Sequence, residues 1–312
     1  MTEEATHALQ QHRGYLLGLA YRLLGEVAEA EDVLQDAYLR WHGTERAAID
    51  NARAYLSTVV TRLCLDRLKE ARRRRETYIG AWLPEPLLED LPLTAASATD
   101  VAEDVSFALM LALERLSPLE RAAFLLHDVF DMGFEEIAVV LGRSAVACRQ
   151  LASRARANVR AARPRFTVTP EEGARLAGAF FEASRSGDTA TLQTLLAEAA
   201  TFHSDGGGRK LAALRPIVGA DKLCRLFAGL ARKAKGARPL WRREMTVNGL
   251  PGFVTVEHDG TLQTTALEIA GGRIVAIYVM RNPDKLTHVL PLLPDTVRAA
   301  VSNDRAMMST AG

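Results

Sequence analysis

The stretch YIGAWLPEPLLEDLP, residues 78–92, carries Pro84, Pro86 and Pro92. Proline has no amide donor and pushes the residue before it toward extended backbone, so neither a helix nor a central strand can run through this stretch. The chain is thereby divided by a stiff aromatic and aliphatic segment, and the parts on either side must each find a core.

Upstream the pattern is helical. In AYRLLGEVAEAEDVLQDAYLRW, Ala30, Leu34, Ala37 and Trp41 recur at helical spacing, with Glu29, Glu31, Asp32, Gln35 and Asp36 opposite. NARAYLSTVVTRLCLDRLKEARRRR repeats the arrangement, with Leu56, Val60, Leu63, Cys64 and Leu68 as the buried stripe and Thr58, Arg62, Lys69 and Arg73 across from it. Downstream, Ser117, Pro118 and Glu120 spell a capping box that starts a helix. Gly142 permits a sharp turn after MGFEEIAVVLG, and Ser144 can cap a further helix with the stripe Cys148, Ala152, Ala155 and Val159. Two helices about a glycine turn, the second rich in arginine, form a helix-turn-helix pattern.

From about Thr167 the texture changes. EEGARLAGAFFEASRSG, TATLQTLLAEA and GADKLCRLFAGLARKA read as helices, then LWRREMTVNG, GFVTVEHDG, TLQTTALEIAGG and RIVAIYVM as strands, with hairpin turns at HDG and AGG. The expectation is an α+β domain with helices first and an antiparallel sheet last.

A chain of 312 residues, 48% of them hydrophobic, can support two or three domains with real cores. No run approaches the ~20 apolar residues needed to span a bilayer, and the acidic N-terminus has no apolar signal core. A soluble cytoplasmic protein without a membrane partner is expected. Cys64, Cys148 and Cys224 are odd in number and far apart, which suggests neither a disulfide framework nor a zinc site, so no metal and no cofactor is expected. The net charge is only +1, but its distribution is uneven. Arg62, Arg67, Lys69 and Arg72 to Arg75 face only Asp66 and Glu70, and the seven arginines from Arg143 to Arg165 have no acid among them. Beyond a Debye length of about 8 Å distant acidic groups hardly cancel such runs, so they read as two footprints on a polyanion.

These segments together resemble a known family. RLLGEVAEAEDVLQDAYLRW is similar to the core-polymerase-binding helix of extracytoplasmic-function sigma factors, and RAYLSTVVTRLCLDRLK to their promoter −10 helix. LSPLERAAFLLHDVFDMGFEEIAVVLG, with Arg154 to Arg156, resembles their −35 module; the likeness covers nearly all of residues 7–163. The C-terminal stretch resembles the SnoaL-like branch of the NTF2-like fold, and WLPEPL, SDGGGRK and NPDKL resemble signatures of the sigma group that carries this extension. The chain departs from the family at Leu151, where a basic residue is usual, so a base contact from that position is not carried over. Cys148 replaces a customary valine of the buried stripe.

The resemblance implies four segments: a region 2 helical domain at 1–77, a linker at 78–105, a region 4 helix-turn-helix domain at 106–166, and a SnoaL-like regulatory domain at 167–312. It implies no covalent chemistry. The partners it implies are core RNA polymerase and promoter DNA, duplex at the −35 element and melted at the −10 element. Ala147, Arg149, Gln150 and Ser153 face away from the stripe and can reach major-groove edges, arginine pairing with guanine and glutamine with adenine at about 1–3 kcal/mol each. Arg143, Arg154 and Arg156 fall to the phosphates, and Ser144 belongs to the same −35 DNA-binding site. Asn51, Arg53, Thr58, Arg62, Lys69 and Arg73 form the −10 side, and the loop HGTERAAID is where the family places the pocket for an unpaired base. Asp32, Gln35, Asp36 and Arg40 are the expected polymerase contact.

In the extension, His203, Asp205, His258 and Asp259 invite an acid-base reading. Asp205, however, precedes Gly206, Gly207 and Gly208, where a turn whose amides it accepts is a sufficient explanation, and His258 and Asp259 sit at a hairpin end. Catalysis, a small-molecule ligand in the pocket and a protein-contacting surface stay open; the last is preferred. Trp82, Leu83 and Leu87 need a partner surface, and the extension is expected to pack on the linker and on region 2, with Trp82, Leu83, Pro84, Pro86, Leu87, Asp205 to Gly208, Asn282, Pro283 and Asp284 as the regulatory contacts. Two rivals remain: a helix-turn-helix regulator that works without polymerase, and a cyclase- or isomerase-like enzyme fused to a DNA-binding segment.

Overall fold

Helices α1 (Thr2–Leu24), α2 (Val27–His42) and α3 (Ala52–Glu76) pack against one another in a computed structural model of the chain. The model describes residues 2–44, 49, 51–76, 78–89, 106–160 and 168–301. The shared core of these helices takes Leu16, Leu19 and Leu23 from α1, Ala30, Val33, Ala37 and Trp41 from α2, and Leu56, Val60, Cys64 and Leu68 from α3. After them come α4 (Phe107–Glu114), α5 (Pro118–Phe124) with a π-helical turn at Leu125–Val129, α6 (Phe134–Leu141) and α7 (Ala145–Arg160). Both halves of the capping box form at α5: Glu120 Oε2 accepts from the Ser117 amide at 3.1 Å, and Ser117 Oγ from the Glu120 amide at 3.4 Å. Gly142 ends α6 at φ 62°, a left-handed conformation that glycine adopts without a Cβ penalty. Ser144 Oγ then caps α7 through the Ala147 amide at 3.2 Å.

The C-terminal region runs α8 (Pro170–Ser186), α9 (Thr189–Leu195), β1 (Leu196–Asp205), β2 (Ile217–Val218), α10 (Ala220–Ala234), then β3 (Trp241–Val247), β4 (Leu250–Val256), β5 (Leu262–Ala270) and β6 (Arg273–Met280), and a 3-10 helix at Pro283–Leu292. The strands form one sheet in the order β2-β1-β6-β5-β4-β3. Two expectations are corrected here. TATLQTLLAEA is helical only to Leu195; from Leu196 the chain is strand, because Leu196, Ala200 and Phe202 are drawn into the core between the sheet and α8 to α10. The sheet is mixed and not antiparallel: β1 runs parallel to β6, which the long crossover through α10 and the β3–β5 meander makes possible.

Phe180, Phe181 and Phe227 from the helices meet Phe202, Phe253 and Ile277 from the sheet. The alternate residues Ala276, Tyr278 and Met280 are buried as well, so both faces of β6 are covered. The 3-10 helix lies against β5, and Leu88 bridges to Val247 at the end of β3.

By spatial proximity the chain forms two compact units, Met1–Thr77 with Pro92–Arg163, and Tyr78–Leu91 with Pro164–Gly312. The helices before and after the proline segment thus share one unit, and the proline segment itself belongs to the other. Cys64, Cys148 and Cys224 are buried free thiols, and burial pushes the Cys64 thiol far above its ordinary range.

Candidate nucleic-acid interface and linker clamp

Along α7 the stripe Cys148, Leu151, Ala152, Ala155 and Val159 is buried, which leaves Arg149, Gln150 and Ser153 exposed and Ala147 half-exposed on the other side. Leu151, singular in the sequence pattern, is a packing residue. Several of the arginines are already engaged. Arg149 Nη2 meets Glu135 Oε1 at 2.9 Å and its guanidinium lies over Phe134; Arg154 meets Glu120 at 2.9 Å and Arg156 meets Asp128 at 2.7 Å. Arg143 donates to the Gly142 carbonyl. These are surface pairs, each worth about 0–1 kcal/mol and so easily exchanged for phosphate.

On α3, Asn51 acts as the helix cap, its Oδ1 accepting from the Ala54 amide at 3.0 Å. Arg53 lies over the Tyr15 ring at 4.0 Å, Thr58 donates to the Ala54 carbonyl, and Lys69 pairs with Asp66. Arg73 belongs to α3, and the residues 45–48 and 50 of the expected base pocket lie outside the described residues. Arg62 is turned onto α6, donating to the carbonyls of Val139 at 2.9 Å and Val140 at 3.2 Å.

The acidic face of α2 is braced from α3. Arg67, one of the basic residues counted toward the DNA footprint, instead spans Glu29 and Asp36, both at 2.9 Å, and Asp32 at 3.5 Å. Asp32, Gln35 and Arg40 remain exposed and Asp36 half-exposed.

The three short motifs of the extension and linker converge on one buried node. Asp205, at the end of β1, accepts from the Gly207 amide at 2.9 Å, as the glycine-turn reading requires. The same carboxylate also accepts from Tyr78 Oη at 2.6 Å, from the Leu83 amide at 3.0 Å and from Lys285 Nζ at 2.9 Å. Lys285 donates again to the Leu83 carbonyl at 2.6 Å and lies over the Trp82 ring at 4.2 Å. Asn282 joins by donating to Tyr78 Oη at 2.9 Å, and its Oδ1 caps Asp284. The glycines are needed for closeness: a Cβ on Gly206 would fall 2.0 Å from the Lys210 carbonyl oxygen, and one on Gly207 would fall 2.4 Å from the Asn282 side chain.

Farther along, Pro84, Glu85 and Pro86 are buried, and the Leu87 amide and carbonyl both bond to Asn248. His288 Nε2 stands 2.7 Å from the Pro86 carbonyl oxygen, which can only accept, so the ring proton is on Nε2. His288 Nδ1 is 3.8 Å from Glu85 Oε2. Burial lowers the His288 pKa, partly opposed by the Pro86 bond, so the ring is neutral at pH 7 and this contact is not an ion pair. Sequence reasoning named Asp205, the glycines, Asn282 and the prolines but missed Tyr78, Glu85, Asn248, Lys285 and His288. Lys285 stood inside the quoted NPDKL motif; nothing local marked it as buried.

The acid-base candidates are dispersed. His258 and Asp259 are exposed in the β4–β5 turn, where Asp259 caps the Thr261 amide at 3.0 Å, and His203 stacks on Tyr278 of the neighbouring strand at 5.3 Å. Tyr278 Oη donates to the buried Glu268 at 2.7 Å, and burial raises the carboxyl pKa.

Residues 8–74 match the family model of sigma-70 region 2 and residues 106–159 that of sigma-70 region 4. The ECF RNA polymerase sigma factor SigJ of Mycobacterium tuberculosis (strain H37Rv) is 42% identical over 293 residues, spanning 90% of this chain and 91% of SigJ. The chain belongs to the extracytoplasmic-function RNA polymerase sigma factors. A probable ECF sigma factor of the same organism, SigI, is 34% identical over 89% of this chain and 93% of its own length. The crystal structure of SigJ superposes with a TM-score of 0.74 at 38% identity, covering 91% of this chain and 98% of SigJ. This sigma factor is therefore a transcription initiation factor and not an enzyme, built of two helical sigma modules followed by an α+β domain with a mixed sheet.

Proposed function

We propose that this sigma factor confers start-site selection on core RNA polymerase, with α2 as the docking surface, α7 reading the duplex −35 element and α3 engaging the −10 element. Asp32, Gln35, Asp36 and Arg40 would meet the polymerase. Arg149 and Gln150 would read base edges, while Arg143, Arg154 and Arg156 hold phosphates, with Ser144 at the start of the helix where backbone amides favour an anion. Asn51, Arg53, Thr58, Lys69 and Arg73 would follow the −10 strand together with Arg62. The observation that carries this reading is the exposed arginine and glutamine face of α7 in a chain that holds both sigma regions. The SnoaL-like domain controls the readers through its grip on residues 78–89, since a segment held at both ends by buried polar contacts sets how far the helices on either side of it can separate. The site of action is the cytoplasm, where template and polymerase are; among the described residues no helix is long and apolar enough to cross a membrane.

Run-off transcription with purified core polymerase and a promoter library tests this. The full chain, or a form shortened at its C-terminus, should direct initiation at defined sites. Duplex binding with no polymerase-dependent initiation in either form would leave a helix-turn-helix regulator instead.

A further inference from the structure

The two sigma modules share one unit, and they are joined by arginines that each cap a helix belonging to the other. The last carbonyls of an α-helix have no intrahelical partner and carry partial negative charge, so a guanidinium is a fitting cap. Arg62 of α3 takes the Val139 and Val140 carbonyls in the last turn of α6. Arg121 of α5 takes the Leu23 carbonyl in the last turn of α1 at 2.7 Å, and also bonds to the Leu113 carbonyl at 2.9 Å and to Glu114 at 2.7 Å. Arg121 is 2% exposed, and burial pulls its pKa down to about 9, so it is still charged at pH 7. The Tyr15 ring of α1 also meets the Phe130 ring edge-on at 4.9 Å, with the Arg22 guanidinium over Phe130 at 5.7 Å.

The two arginines differ in accessibility. Arg121 is sealed in, whereas Arg62 is solvent-exposed and can exchange partners. The Arg149, Gln150 and Ser153 face of α7 is exposed in the same arrangement. We infer that Arg62 is an interlock: while it caps α6 the two modules stay docked and α3 cannot use it on the −10 strand, whereas the −35 face stays open. The chain therefore takes a −35 duplex while docked, and −10 engagement requires Arg62 to leave α6 and the modules to part. This exclusion rests on the reading of Arg62 as a −10 contact; the docking role of Arg62 does not.

The test uses the full chain carrying a distance-reporting probe pair at Leu39→Cys in α2 and Asn158→Cys in α7, both exposed positions, compared as wild type, Arg62→Ala and Arg62→Lys. Without DNA, Arg62→Ala should raise the ratio of separated to docked molecules by roughly tenfold or more, the loss of two charge-assisted hydrogen bonds. Arg62→Lys, a single point donor, should give an intermediate rise. Affinity for a −35-only duplex should stay within about twofold in all three, because that face is open in either state. On a DNA fork exposing the −10 strand, Arg62→Lys should bind at least as well as wild type and Arg62→Ala more weakly. Unchanged distance distributions in both variants would overturn the interlock. Separation together with equal fork binding by the Ala and Lys variants would keep the docking role but overturn the exclusion and the assignment of Arg62 to the −10 strand.

Discussion

Lys285 Nζ stands 2.9 Å from Asp205 Oδ2, with the side chains 6% and 0% exposed, so the extension holds the proline segment through a charge pair almost wholly removed from water. Such a pair is expensive to break from one side only, because the remaining charge keeps its desolvation cost and loses its partner. Lys285→Met should weaken the clamp by about 3–5 kcal/mol. Amide exchange across residues 78–89 should then speed up by a factor of about one hundred or more in the full chain. Adding Asp205→Asn should recover part of the loss, and no recovery would mean that the packing of the lysine stem, not its charge, holds the segment.

The glycine turn admits a paired comparison. Gly207 and Gly249 both have left-handed φ, 62° and 71°, but only Gly207 has a neighbour where a Cβ would go. Gly249→Ala should cost about 1–2 kcal/mol, the conformational penalty alone. Gly207→Ala should cost clearly more and release Asn282 from Tyr78, detectable as faster exchange of the linker amides. Equal costs for the two substitutions would show that the close approach of Asn282 is unimportant.

His288 makes the clamp sensitive to acid. Its native pKa lies below the unfolded value, mainly through burial, so below about pH 6.5 the unclamped state binds a proton that the clamped state refuses. Stability from this residue is complete above that pH and falls as pH drops through it. Cleavage near Glu85 or Glu89 by an acidic-residue-specific protease should accelerate between pH 7.5 and 5.5. The change should flatten in His288→Gln, which keeps an Nε2 donor for the Pro86 carbonyl.

Arg149 must leave Glu135 before it can read a base, and that surface pair is worth only about 0–1 kcal/mol. Glu135→Gln should therefore tighten binding to a −35 duplex by up to about fivefold at low salt, with little change in sequence preference. Arg149→Ala should instead relax preference at one base pair by about 1–3 kcal/mol, and Arg154→Ala should weaken all sequences alike and lower the salt dependence. Competitive binding to a randomised duplex library separates these patterns.

The helical modules were legible because their signals are local. Ser117 and Glu120 are three residues apart, Gly142 needs no distant partner to turn, and the stripes on α2, α3 and α7 repeat every three or four residues. The strand β1 was misread at its start because Ala197, Glu198 and Ala199 favour a helix, and only the pairing with β6 overrides that preference. The clamp was half legible. The turn at Asp205 and the need of the apolar linker residues for a partner could be read from the chain, but the burial of Glu85 and Lys285 could not, since both are ordinarily surface residues.

By itself the sequence determined the helices of the two sigma modules, the caps at Ser117 and Gly142, which of their faces are apolar and where the arginines are dense, since each follows from spacing within a few residues. Tertiary structure alone decided which arginines are already committed. Arg62 reaches carbonyls 77 and 78 residues away, Arg67 crosses to α2, and Lys285 finds Asp205 across 80 residues. The physical reason is that a charge's role depends on its burial and on what stands within a few ångströms, and both are properties of the folded chain.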